Sequence, residues 1–134
     1  MGSDPVPAES QNVVVVLTVG KSDNGKHATL AFSCGLASLA VGHNAVVFLT
    51  GDGSVWGYKG SAGGIRTQGF SPLDELISDY LAEGGRLIQC SVCHRTCSVG
   101  SPNDAQSIEQ FPQVESGGFA TIIDLAMNGT CITF

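Results

Sequence analysis

Short unbroken apolar runs alternate along the chain with longer stretches at helical spacing, a pattern that predicts strands and helices in turn. Residues 13–19 are mostly β-branched with no polar alternation, as in a strand buried on both faces. This run is expected at or near the centre of a sheet. Beyond Gly20, Ser22 or Asp23 can cap a helix that runs to about Val41 and is ended by Gly42, with Leu30, Cys34, Ala37 and Val41 recurring on one face. A second buried strand follows at 45–50, then Gly51-Asp52-Gly53-Ser54 and a long glycine-rich loop with Trp56, Tyr58 and Lys59. The clearest helix comes next: Ser71 stands at a cap position, Pro72 in the first turn, and Leu73, Leu76, Ile77, Tyr80 and Leu81 keep three-four spacing as far as Gly84-Gly85.

Arg86-Leu87-Ile88-Gln89 predicts a third strand with Cys90 at its carboxyl end. Ser101-Pro102-Asn103-Asp104 repeats the cap and proline pattern and predicts a short helix to about Gln110. Phe119, Ile122, Ile123 and Ala126 mark a last helix, Asn128-Gly129 ends it, and residues 130–134 make a final strand. A further strand around 97–100 would bring the sheet to about five. The fold class expected is therefore α/β: a single three-layer α/β/α domain over residues 13–134 with a mostly parallel sheet. Residues 1–12, rich in Pro, Ser and acid without periodicity, are expected to form a disordered amino-terminal tail. In such a sheet the loops after residues 19, 50 and 90 converge on one edge, where open parallel sheets bind ligands.

Composition narrows the functions. The 134 residues make one ordinary domain. Only 13% are charged, against roughly 25% in soluble domains, so part of the surface is expected to lie against other subunits. A formal net charge of -6 with six Lys and Arg leaves no basic stripe for a phosphate backbone, which argues against nucleic acid as a direct ligand. No apolar run approaches the roughly 20 residues of a membrane span, and the expected location is the cytoplasm. Five cysteines, three of them within the eight residues from Cys90 to Cys97, do not resemble a secreted disulfide framework.

Cys90, Cys93 and Cys97, with His94 and Arg95 between them, are thus the residues on which chemistry is expected. Thiolates after a buried strand can act as nucleophiles, redox partners or soft metal ligands. A zinc or iron-sulfur site would use Cys90, Cys93 and Cys97, with His94 as a candidate fourth ligand, although paired C-x-x-C halves are absent. Cys90 to His94 also spells C-x-x-C-H, but covalent haem attachment would need export and a haem pocket with a second axial ligand, and neither a signal segment nor a helical cytochrome pattern is expected from the sequence. Residues 20–26 nearly fit a phosphate-binding loop; His27 stands where the magnesium-holding hydroxyl should be, so a turn that caps a helix is the simpler reading. Asp52 can mimic a magnesium carboxylate or be a plain turn residue. Cys34 and Cys131 read as small apolar residues.

The order of these elements resembles that of the DsrE/DsrF-like sulfur-relay proteins. Residues 13–20 look like that family's first strand and turn, 28–42 like its alanine-rich helix, 46–53 like its second strand with an Asp-Gly turn, and Gly84-Gly85-Arg86-Leu87-Ile88-Gln89-Cys90 like the strand leading to its cysteine. The resemblance implies a small α/β/α domain, assembly into trimers, hexamers or mixed complexes, and a persulfide carried on Cys90. Cys93 and Cys97 depart from the pattern and leave a resolving thiol, a dithiol or a metal site open. The expected chemistry is attack of the Cys90 thiolate on a sulfane sulfur and transfer of that sulfur to an acceptor protein or small thiol, with no resident cofactor. Backbone N–H groups of a following helix, and the cations Arg95 or Lys26, would stabilise the sulfur anion.

Overall fold

Val13, Val14, Val15 and Leu17 are all buried. Successive strand residues point to opposite faces, so such a run fits only a strand covered on both sides. The computed structural model, which describes residues 11–92 and 109–134, contains that strand as β1 (Asn12–Leu17). β2 (Asn44–Leu49), β3 (Arg86–Cys90), β4 (Val114–Gly117) and β5 (Gly129–Thr133) complete a five-stranded sheet in the order β4-β3-β2-β1-β5. Every adjacent pair is parallel. β2 is the middle strand and β1 lies beside it.

Pleating divides the core in two. Val13, Val15, Leu17, Val47, Leu49 and Leu87 pack against α1 (Lys26–Ala40) and α2 (Leu73–Ala82). Val14, Val46, Phe48, Ile88 and Cys90 face the other way, toward Ile122 of α3 (Phe119–Ala126). The result is the expected three-layer α/β/α arrangement. Between the layers on the first side a 3-10 turn, Gly51–Gly57, carries Trp56 into the core, where it is fully buried and its indole N–H donates to Val19 O at 2.9 Å. The long loop after β2 is thus part of the core rather than a surface ornament.

Several expectations need correction. Leu30 of α1 and Val41, the cap at its carboxyl end, are exposed, while Ala28, Thr29, Ala31, Phe32, Gly35 and Ser38 are buried. Small side chains let the helix approach α2, where Phe32 meets the Tyr80 ring edge-on at 5.5 Å. Apolar residues occur on both sides of this helix, so spacing alone did not choose the right face. β1 begins at Asn12, one residue inside the expected tail: its side-chain amide donates to Leu125 O at 2.9 Å and it pairs with Gly129. The remaining strand is β4, whose edge position needs few apolar residues; the segment 97–100 lies outside the described residues. Most of the expected short helix also lies there, and Gln110, at its end, instead forms an antiparallel bridge with Tyr58. Ser71 makes no capping bond, and Pro72 occupies the cap position of α2.

Candidate functional site at the carboxyl end of β3

Gly84, at φ 95°, closes α2, and Gly85 leads straight into β3. The Tyr80 hydroxyl donates to Arg86 O at 2.5 Å and anchors the strand's start; burial pushes the phenol's pKa up. At the same end the Arg86 guanidinium makes two hydrogen bonds, at 3.0 and 2.8 Å, to the Glu115 carboxylate of β4. These bonds hold Glu115 below its ordinary carboxyl range and raise Arg86. β3 is therefore fixed between β2 and β4 before it reaches its carboxyl end.

At that end two side chains point opposite ways. Gln89 is buried toward the α1 side, donates to Ser54 O at 2.7 Å, and accepts from the Gln110 amide. It ties the 3-10 turn and the bridge at Tyr58 to the strand. Cys90 points to the α3 side, 5% exposed, among Val14, Val46, Phe48, Ile88 and Ile122. In register it sits opposite Gly117, the last residue of β4. Gly118 follows as the cap of α3, so the turn from β4 into α3 flanks Cys90. A side chain at 117 would come within 2.9 Å of Ile88, which explains the glycine. Phe119, opening α3, meets Phe48 edge-on at 6.0 Å. Ser91 and Val92 already have helical backbone, so the chain turns from strand to helix directly after the thiol.

The remaining expected site residues divide. Cys93, His94, Arg95 and Cys97 lie outside the described residues. Lys26 opens α1, on the side of the sheet opposite Cys90, and the two are not brought together. Asp52 is exposed in the turn after β2. There the next residue, Gly53, passes so close to β1 that an added Cβ would lie 2.1 Å from Leu17 O. The Asp-Gly pair is thus where the turn after β2 passes closely over the end of β1. Among the described residues no three His, Cys, Asp or Glu side chains gather as metal ligands.

The loop at 20–26 behaves as a cap. Asp23 accepts N–H bonds from Gly25 and His27 at 3.0 and 2.8 Å, and its other contact is the His27 ring at 2.5 Å. Burial acts to raise Asp23, but the bonds from His27 and Gly25 outweigh it and leave its carboxyl below the usual range. N–H groups that a phosphate-binding loop would offer are taken by the protein's own carboxylate. Cys34 and Cys131 are unpaired thiols, the first half-buried with its pKa raised by burial, the second exposed. Sequence reasoning missed the Gln89 bridge, because a glutamine beside an apolar run gives no sign of which way it points.

A parallel α/β/α sheet with a cysteine closing an interior strand at its carboxyl edge defines a class of small cysteine-bearing α/β proteins. A family model places the chain more narrowly: residues 11–134 match the DsrE/DsrF-like family, and the chain belongs to it. That family is associated with sulfur relay. Among solved structures the fold is similar to that of the YchN protein from E. coli, with a TM-score of 0.63 at 13% identity, covering 94% of this chain and 100% of that one. No curated protein matches.

Proposed function

We propose that the protein is a cytoplasmic sulfur carrier or sulfurtransferase that takes sulfane sulfur from a donor onto Cys90 and hands it to an acceptor, each a protein or a small thiol. The supporting observation is that Cys90 ends a hydrogen-bonded interior strand beside the turn into α3, in a chain of the DsrE/DsrF-like family. Residues 13–134 act as one domain in this reading, and copies of the chain assemble as a trimer or hexamer. The Cys90 thiolate attacks the terminal sulfur of a persulfide donor; an S–S bond forms to Cys90 as the donor's S–S bond breaks, and the electron pair leaves with the donor thiolate. An acceptor thiolate then attacks the terminal sulfur and releases Cys90 as thiolate, so the cycle is redox-neutral. Backbone N–H groups at the amino end of α3 supply partial positive charge next to the sulfur anion. The apolar wall of Val14, Phe48 and Ile122 shields the inner sulfur from stray thiols. Cys93 is the auxiliary thiol: its attack on the inner sulfur of the Cys90 persulfide would expel hydrosulfide and leave a disulfide. Cys97, His94 and Arg95 are assigned supporting roles.

The 5% exposure of Cys90 favours a second reading. Buried cysteine often serves as a small apolar residue, and the chain would then be a non-catalytic oligomeric subunit or binding module with a zinc or redox site in its cysteine cluster. Peptide mass mapping after incubation with a sulfane-sulfur donor and alkylation separates the two. Added sulfur on the Cys90 peptide, lost in Cys90→Ser and kept in Cys97→Ser, is the expected result. Loss in Cys93→Ser alone moves the acceptor role to Cys93. Absence of persulfide from every form, with zinc retained in native mass spectra and a chelator lowering thermal stability, establishes the second reading instead.

A further inference from the structure

A cavity of about 410 Å³ opens beside the loop that leaves β1, lined by Lys21, Asn24, Ser61, Gly64 and Arg66 among others. That size suits a small metabolite. Its charge reverses that of the molecule. The chain has 12 Asp and Glu against six Lys and Arg, yet two of those six cations line this one cavity and no carboxylate does. Lys59 and Arg86 are paired with Glu109 and Glu115. Lys21 and Arg66 have no carboxylate partner among the described residues; Arg66 makes one long bond, 3.3 Å, from its Nε to Phe70 O.

The backbone supports the same ligand chemistry. Asn24 is held at φ 62° by its N–H bond to Lys21 O, and its side-chain amide makes no hydrogen bond among the described residues. Asp23, the nearest acid in the loop, has its carboxylate engaged by Gly25 and His27. Elsewhere in the lining Gly64 has φ 77°, and the N–H groups of Gly64 and Arg66 find no partner among the described residues. Topology adds an independent reason. From β1 the chain proceeds to β2 on one side, whereas β5 reaches its other side by crossing from β4. Ligands of open parallel sheets bind outside the carboxyl ends of strands at such a reversal, and Lys21 and Asn24 stand on the loop leaving β1.

We infer that this cavity binds a small molecule through a doubly charged phosphate monoester group held between Lys21 and Arg66. The site is separate from Cys90, which lies on the opposite side of the sheet. A lone carboxylate would leave one cation unmatched. The test is titration of the full chain with sodium phosphate and with sodium sulfate at constant ionic strength, followed by amide NMR shifts. Saturable shifts at Lys21, Asn24 and residues 61–66 are expected, with dissociation constants of about 1 mM. Free sulfate, an equally charged tetrahedral dianion, should compete at the same residues, and saturation by sulfate alone would overturn the assignment to a phosphate ester. Lys21→Ala and Arg66→Ala should each weaken binding about tenfold, the scale of one lost charge-assisted hydrogen bond, while Lys59→Ala, which removes an equal charge elsewhere, should leave it unchanged. Shifts that do not saturate, that sodium chloride reproduces, or that Lys59→Ala weakens as much as Lys21→Ala would overturn the proposal.

Discussion

Tyr80 sets the position of β3 through one bond and one contact. Its hydroxyl is tied to Arg86 O, so the ring cannot swing away, and it lies flat over Gly85, where an added Cβ would come within 2.3 Å of ring carbons. Gly85→Ala therefore has to displace either the ring or the strand. Overpacking of this kind costs about 1–3 kcal/mol, read as a lower urea midpoint at unchanged slope. A Gly85→Ala protein as stable as the wild type would show that the ring is not fixed there. Cys90 was legible because it follows an apolar run, and position on a strand needs no knowledge of neighbours. Its burial was not legible: that depends on Phe48, Ile122 and Val14, which come from three distant parts of the chain.

Among the elements, β1, β2 and β3 could be read because strands covered on both faces leave unbroken apolar runs. β4 could not. It is an edge strand whose Glu115 and Ser116 are exposed, and its place is set instead by register with β3 and by the Arg86–Glu115 pair. α1 was found, but its buried face was misjudged because that face is built from Ala, Gly, Ser and Thr as well as Phe32. The ion pair carries a pH dependence whose sign is fixed. Glu115 is held by Arg86 below its ordinary value of 4.5, so the stabilisation is complete above that value and is lost as pH falls through the lower folded-state value. Both side chains are nearly half exposed, and solvent screening keeps the contribution below about 1 kcal/mol. Urea melts of wild type and Glu115→Gln should differ most near neutrality and converge in acid below the ordinary carboxyl range. A difference that grows on acidification would have the wrong sign for this pair.

For the whole molecule, the outward faces of α3 and β5 bear on the proposed assembly. Phe119, Ile123 and Met127 are 66%, 59% and 77% exposed; they stand four residues apart, which puts them on one stripe of the α3 turn. Val92 is exposed after Cys90, and every residue of the edge strand β5 is exposed. Single exposed apolar residues are ordinary, but contiguous stripes mark interaction surfaces, and an unprotected edge strand invites pairing. Charged residues make up only 13% of the chain, and Asp124 is the single one within α3. Burial of such a stripe between copies would also bring neighbouring subunits near the Cys90 edge, since α3 starts at the residue after Gly118. Light scattering at micromolar concentration should give the mass of a trimer or hexamer. Ile123→Glu combined with Met127→Glu should shift that mass toward the monomer while the far-ultraviolet spectrum stays native, because both side chains already face outward. A monomeric wild type would remove the assembly, and a double variant of unchanged mass would move the interface to another face of the molecule.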